Sequence, residues 1–175
     1  PYFFGLLAQF KIPDNQKIKK LSHGMKMKLS LVAALSHHPK LLLLDEPTSG
    51  LDPIVRDEIL DLLLDFMQDE NNSILFSSHI TSDLEKIADT ITFIHEGHII
   101  LSENKDTLLF DYGIWQGTKA DALQLPEQAI IAKRSSAFGF DILVKRAEVN
   151  PVFELTKPTI EDIMLFFVKG IRAYA

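Results

Sequence analysis

A run of four leucines, from Leu41 to Leu44, is the feature that most constrains the fold of this chain. A strand with one face against a core alternates apolar and polar residues, and this run does not alternate. Continuous apolar runs are typical of strands in parallel sheets that are covered on both faces. Because burying each leucine contributes roughly 1.5–3 kcal/mol, we expect an internal strand that is buried on both faces.

Two carboxylates, Asp45 and Glu46, follow the leucines at the predicted C-terminal end of this strand. Pro47 has no N–H for a ladder, so the strand should end there. Ligands bind at this end of the strands in open α/β sheets. An ordinary polar turn does not need two adjacent acids, whereas phosphoryl transfer does. One carboxylate can help to hold Mg²⁺, and its neighbour can orient or deprotonate the attacking water.

Composition excludes several other classes of protein. The 175 residues are 46% hydrophobic, which suits one domain or one domain with a small appendage. The net charge of −6 argues against nucleic-acid binding, and the absence of cysteine excludes disulfides and thiolate metal sites. No apolar run approaches the ~18 residues of a membrane span. The opening residues 1–4 lack an initiator Met, which we interpret as a cut within a longer protein.

Residues 21–25, Leu-Ser-His-Gly-Met, precede an apolar pattern that predicts a buried helix running to about His37. Ser22 stands where an N-cap would stand. Small residues at a helix start leave backbone N–H groups open, and the helix dipole favours an anion there. The segment is therefore either an ordinary cap or a phosphate contact.

Two further segments complete the pattern. Residues 49–52, Ser-Gly-Leu-Asp, come directly after the acids, with Asp52 as a candidate N-cap and Pro53 at the first position of the next helix. Residues 73–78 predict a second buried strand, and His79 arrives at its end. An unperturbed histidine can act in either protonation state near neutral pH.

These segments, in this order and spacing, resemble the nucleotide-binding subunit of ABC transporters. Residues 21–25 match its signature motif, residues 42–48 its Walker B motif, residues 49–52 its D-loop and residues 78–79 its switch histidine. The resemblance is close over about residues 21–97. Four motifs in order are far more specific than any one of them.

The sequence also departs from the family pattern. His23 and Met25 replace the Gly and Gln that usually occupy these positions of the signature, a form that looks like a bacterial exporter-type subgroup. The Gly-rich Walker A loop with its Lys, the aromatic residue that stacks on adenine and the Q-loop Gln have no match here. In the family they lie N-terminal to the matching region.

The resemblance implies an α/β fold. We expect residues 1–103 to form part of a P-loop NTPase-like core, a mostly parallel sheet with flanking helices. Residues 104–175 should form a small α/β C-terminal tail.

The resemblance also implies a set of site residues. Glu46 and His79 would be catalytic, with His79 contacting the γ-phosphate, and Asp45 and Glu46 would serve Mg²⁺. The remaining residues would contact ATP bound by a second subunit or carry communication across the interface; they are Ser22, His23, Gly24, Met25, Ser49, Gly50 and Asp52.

The implied function is MgATP binding and hydrolysis that drives a transmembrane permease subunit. The site would form with a second ATP-binding subunit, in a homodimer or heterodimer, on the cytoplasmic face of the membrane and without nucleic acid. Without a Walker A loop, the chain alone should be inactive. Two alternatives stay open: the head of a DNA-repair or chromosome-maintenance ATPase, and a non-catalytic regulatory fragment.

Local patterns predict the remaining elements. Glu96-Gly97 indicates a hairpin, in which His95 and His98 should be solvated and not metal ligands. The opening residues suggest a helix that lost its packing partner, and residues 81–83 a helix cap. The tail should contain a helix near 105–110, strands near 113–118, 128–134, 138–145 and 151–156, and a last helix capped by Thr159 and Asp162.

Overall fold

The computed structural model describes residues 2–136 and 139–172, and its contacts divide the chain into two units between Ile87 and Ala88. The first unit consists, in chain order, of helix α1 (Tyr2–Gln9), a 3-10 turn (Ile18–Lys20), helix α2 (His23–Leu35), strand β1 (Leu41–Asp45), helix α3 (Pro53–Phe66), strand β2 (Ser73–Ser77) and helix α4 (Thr81–Ile87).

The helix starts in the first unit follow from capping residues. The Ser22 hydroxyl accepts a hydrogen bond from the Met25 N–H at 3.2 Å, which caps α2. Asp52 caps α3, and Pro53 occupies the first helical position, where its missing N–H costs nothing. Both predicted caps are confirmed. The predicted cap at residues 81–83 is wrong in one respect, since Asp83 lies within α4 and its side chain is buried.

Strands β1 and β2 pair in parallel, in register from Leu41 opposite Ser73 to Asp45 opposite Ser77. One face of the pair packs against the core of the first unit. The buried residues of that core are Leu6, Leu7, Ile12, Leu21, Leu31, Val32, Leu35, Leu42, Ile59, Leu62 and Leu63. The prediction that α1 had lost its packing partner is therefore wrong, because Leu6 and Leu7 are part of this core.

The expectation that β1 is buried on both faces is also wrong. Leu43 is 69% exposed, and Leu75, its neighbour on β2, is 68% exposed. Successive side chains of a strand point to opposite faces, so the side of the pair opposite Leu42 is open. Within the part of the chain that is described, only two strands form this sheet and its helices pack on one side. The result is an exposed apolar strip.

The second unit begins with an antiparallel hairpin. Its elements are β3 (Thr90–His95), β4 (His98–Asn104), α5 (Lys105–Phe110), β5 (Tyr112–Gly117), α6 (Lys119–Ala122), β6 (Ile130–Ser136), β7 (Gly139–Lys145), α7 (Ile160–Lys169) and β8 (Ile171–Arg172), with 3-10 turns at Glu127–Ala129 and Arg146–Glu148. Strands β5 to β8 form one antiparallel sheet in the order β5-β7-β6-β8. Of the strand pairs described, β1–β2 is parallel and the others are antiparallel.

The hairpin between β3 and β4 turns on Glu96 and Gly97, whose φ angles are 48° and 78°. Two positive φ values in a two-residue loop are the geometry of a type I′ turn, which matches the twist of the strands. His95 and His98 pair across it and are exposed, as expected.

The hairpin lies with the second unit, because the Lys105 N–H at the start of α5 donates to the Asp89 carbonyl at 2.8 Å. The sequence placed a domain boundary later, between residues 103 and 104. That boundary was drawn from the change in sequence character near Glu103 and not from contacts, and it stays a prediction.

The tail confirms most of the sequence expectations. Thr159 and Asp162 form a reciprocal capping box at the start of α7. Trp115 is buried in a core with residues of β6 and β7. The expected strand at 151–156 is wrong: the Asn150 side chain and carbonyl close a turn there, and only Thr156 forms a bridge, to Ile114. Part of the strand expected at 138–145 lies outside the described residues at position 138.

None of the helices within residues 2–136 and 139–172 combines the length and apolar character that crossing a membrane requires.

Candidate functional site

The parallel register of β1 and β2 places Asp45 beside Ser77 at the carboxyl ends of both strands. The Ser77 hydroxyl donates to Asp45 Oδ1 at 2.5 Å. Asp45 is exposed, so its carboxylate is open to a hydrated cation or a ligand. The two acids therefore lie, as predicted, at the carboxyl ends of parallel strands, the end at which ligands bind in open α/β sheets.

Glu46 leaves the strand in a left-handed backbone conformation, with φ of 47°. Its N–H still donates to the Ser77 carbonyl at 3.1 Å, and its own carbonyl accepts from the Ser49 N–H at 3.1 Å. A non-glycine residue in this region costs of order 1 kcal/mol and persists only where its surroundings hold it. This turn aims the Glu46 side chain across to the segment after β2.

The Glu46 carboxylate meets His79 there, with Oε2 2.7 Å from Nδ1. A carboxylate only accepts hydrogen bonds, so the proton in this contact sits on His79 Nδ1. Nε2 is left to face a ligand, as an acceptor in the neutral ring and a donor in the protonated ring. The two catalytic candidates are thus joined directly, although 33 positions separate them in sequence.

The donor set suits Mg²⁺ of the kind that nucleotides carry. No group of three or more metal-binding side chains occurs among the described residues. Mg²⁺ at phosphoryl-transfer sites typically takes one or two carboxylates, with waters and substrate phosphates completing the shell. Asp45 and Glu46 fit that arrangement, and they do not fit a cage built from protein alone.

The signature segment lies against the segment that follows the acids. His23 Nε2 is 3.3 Å from the Ser49 carbonyl oxygen, and Gly50 adjoins the same ring. Asp52 Oδ1 accepts hydrogen bonds from the N–H groups of Ile54 and Val55, each at 3.1 Å. The contacts therefore join His23 with Ser49 and Gly50, while Asp52 acts as the cap of α3.

Gly24 has a packing reason to be glycine, which the sequence did not reveal. A Cβ at this position would lie 2.9 Å from Cγ1 of Val55 on α3. That distance is too short for carbon atoms, and a β-branched side chain yields little. Met25 contributes its N–H to the Ser22 cap. The start of α2 is therefore fixed by α3 as well as by its own cap.

A buried polar cluster beneath the turn was missed by the sequence analysis. We call Thr48, Arg56, Ser82 and Asp83 the Asp83 cluster. Asp83 is fully buried; its Oδ2 accepts from Thr48 Oγ1 at 2.6 Å, and its Oδ1 accepts from Arg56 Nε at 2.5 Å. Arg56 also donates to the Ser82 hydroxyl at 2.6 Å. These contacts tie α3 and α4 to the turn that carries Glu46.

A second link between α3 and α4 is solvent-exposed. Lys86 donates to Asp57 at 2.6 Å and to Asp61 at 2.7 Å. Hydrogen bonds from these two carboxylates raise the pKa of the Lys86 ammonium. Lys28 of α2 pairs with Glu58 of α3. The helices are thus joined at several points, and the Asp83 cluster also reaches residues 46–49, the acidic turn, through Thr48.

A family model described as "AAA domain, putative AbiEii toxin, Type IV TA system" matches residues 9–82, which include β1, β2 and the acidic turn. The chain is 46% identical over 93 residues to the lantibiotic transport ATP-binding protein SrtF of Streptococcus pyogenes, covering 53% of this chain and 40% of that protein. It is 33% identical over 165 residues to the uncharacterized ABC transporter ATP-binding protein YhcH of Bacillus subtilis, covering 90% and 52%.

A solved structure gives the same answer for the fold. This chain superposes on the structure of cbiO1 from Clostridium perfringens, part of the ABC transporter complex cbiONQ, with a TM-score of 0.53 and 28% identity. The match covers 61% of this chain and 43% of cbiO1. The chain spans 40% of the length of SrtF and 52% of that of YhcH. In sequence and in its α/β, P-loop NTPase-like fold, this chain is similar to part of the ATP-binding subunits of bacterial ABC transporters.

Proposed function

We propose that this chain carries the hydrolytic part of an ATP-binding subunit that couples MgATP hydrolysis to transport. The observation that carries the proposal is the 2.7 Å contact between Glu46 Oε2 and His79 Nδ1 beside Asp45, at the carboxyl ends of two parallel strands. Phosphoryl transfer to water needs one carboxylate for Mg²⁺ and a second carboxylate that is oriented towards the water. Asp45 suits the first role, and Glu46, held by His79, suits the second.

Each side chain has a distinct role in this proposal. Asp45 would hold Mg²⁺, and the cation would supply positive charge that neutralises the phosphates. Glu46 orients the attacking water and accepts its proton. His79 fixes the Glu46 carboxylate through Nδ1 and turns Nε2 towards the γ-phosphate. Because a neutral ring has no proton left on Nε2, a hydrogen bond from His79 to phosphate requires the protonated ring.

The signature segment serves the second subunit in the proposed dimer. Ser22 and Gly24 stand at the N-terminus of the 13-residue helix α2, where free N–H groups and the helix dipole favour an anion. His23, Met25, Ser49, Gly50 and Asp52 accompany them at the interface. The 3.3 Å contact between His23 and Ser49 supports communication between the signature and the turn after the acids.

The remaining parts of the proposal concern the whole protein. The proposed partner is a transmembrane permease subunit, which this protein would contact on the cytoplasmic face of the membrane. This partner is proposed because a relative is named as a transport ATP-binding protein. None of the eight glycines in residues 1–175 is followed by Lys, so the Gly-rich loop that cradles phosphates would come from outside these residues. Hydrolysis is accordingly proposed for the full-length gene product.

Replacing His79 tests this function. In the full-length protein, His79→Ala should lower phosphate release from MgATP at least about tenfold, because Glu46 loses its orienting partner and the γ-phosphate loses a contact. ATP binding, measured by titration calorimetry, should change much less. His95→Ala is the matched control, since His95 is an exposed histidine of the hairpin. Equal turnover in the two variants would contradict the proposed role.

A further inference from the structure

Asp83 is a carboxylate without contact to solvent, and both of its oxygens are hydrogen bonded. Oδ2 accepts from Thr48 Oγ1 at 2.6 Å, and Oδ1 accepts from Arg56 Nε at 2.5 Å. Thr48 is 1% exposed. Burying a charge is unfavourable unless it is paired and hydrogen bonded, so this carboxylate depends on both partners. An apolar pair at these positions would have packed without that cost.

The Thr48–Asp83 hydrogen bond lies close in sequence to both proposed catalytic residues. Thr48 lies two residues after Glu46, and Asp83 lies four residues after His79. The buried bond therefore joins the same two segments that the exposed Glu46–His79 contact joins. One bond holds these segments from beneath, and the other is the pair proposed to do chemistry.

The backbone of Glu46 needs such support. Its φ of 47° is unfavourable for a residue with a side chain, and its carbonyl is engaged by the Ser49 N–H across the turn that contains Thr48. A strained residue keeps its conformation only when neighbouring contacts over-determine it. The hydroxyl of Thr48, anchored on Asp83, fixes the middle of this turn.

We propose that Thr48 and Asp83 are positioning residues for the Glu46–His79 pair. Their buried hydrogen bond sets the separation of the two segments and keeps the Glu46 carboxylate aimed at the attacking water. Arg56 neutralises Asp83 and joins the assembly to α3. This inference rests on the proposed function, because it assigns the cluster its role through Glu46.

The first test compares Thr48→Val with Thr48→Ser in the full-length protein. Valine keeps the shape of threonine and removes the hydroxyl, whereas serine keeps the hydroxyl. We expect Thr48→Val to lower kcat for ATP hydrolysis about tenfold, with KM for ATP changed less than about threefold, since a small misplacement of a catalytic group is costly. Thr48→Ser should restore most of kcat. Lys86→Met, which breaks the exposed link between α3 and α4, should leave kcat near wild type.

The second test separates positioning from general stability. If Thr48 acts through Glu46, Thr48→Val should change single-turnover hydrolysis less than about twofold in a Glu46→Gln background. The same tenfold loss in both backgrounds, or no loss in either, would overturn the inference. A Glu46→Gln variant with normal turnover would instead overturn the proposed function, and the positioning role with it.

A second variant covers the case in which Thr48→Val does not fold. Arg56→Lys keeps the positive charge beside Asp83 and removes the planar group that reaches both Asp83 and Ser82. It should also lower kcat more than it raises KM, and its effect should vanish in the Glu46→Gln background. An effect that persists there would count against the inference.

Discussion

Replacing Glu46 with Gln in the full-length protein is expected to lower ATP hydrolysis by about 10²-fold or more while leaving ATP binding largely in place. Gln has the size of Glu and keeps an oxygen that can accept from His79 Nδ1, now 2.7 Å from Glu46 Oε2. It cannot accept a proton from water. The substitution therefore removes general-base action and leaves the local packing intact.

Phosphate release at saturating MgATP measures the loss, and size-exclusion chromatography should show an ATP-bound dimer accumulating in the variant. Glu96→Gln is the matched control, because Glu96 is an exposed glutamate that also has a positive φ, of 48°, and lies in the hairpin. Turnover at the wild-type rate in Glu46→Gln would remove Glu46 from the catalytic role.

Replacing Gly24 with Asp is expected to abolish ATP-driven dimerisation and to impair hydrolysis, while each subunit still binds ATP. The new carboxylate would stand at the N-terminus of α2, where the proposed dimer brings the γ-phosphate held by the other subunit. Like charges repel there, and close backbone approach to the phosphate is lost. Dimerisation followed by light scattering, with and without MgATP, measures the effect.

The contact between Gly24 and Val55 calls for a second pair of variants, because any Cβ at position 24 would press on Val55 at 2.9 Å. Val55→Ala makes room for a side chain at position 24, so it is combined once with Gly24→Ala and once with Gly24→Asp. The two double variants then differ chiefly in charge. We expect only the Asp combination to lose dimerisation fully. Loss of ATP binding by the single subunit with dimerisation intact would contradict a site shared between subunits.

The features of this fold that could be predicted from sequence are those set by neighbouring residues. Ser22, Asp52 and Thr159 each cap a helix that begins at the next residue, and the cap needs only an N–H two or three positions away. The Glu96-Gly97 hairpin is equally local. The acidic pair could be placed because a strand followed by Pro47 leaves the acids at a strand end.

The features that escaped prediction depend on distant partners. Asp83 meets Thr48 and Arg56 across 35 and 27 positions, and none of the three stands in a local pattern that announces a buried contact. The sequence suggested a helix cap for Asp83 because acids at helix starts usually serve as caps. The exposure of Leu43 likewise depends on what covers the sheet, which four leucines in a row do not specify.

The proposal that residues 1–175 supply the hydrolytic part of the site, and not the phosphate cradle, can be tested most directly by calorimetric titration with MgATP. Phosphate affinity in this fold comes mainly from a Gly-rich loop and its Lys. Without that loop, the negative charges of Asp45 and Glu46 repel the triphosphate. We expect no saturable binding by the purified 175-residue chain at micromolar ATP, and clear saturation by the full-length protein under the same conditions. Saturable micromolar binding by residues 1–175 alone would contradict this account.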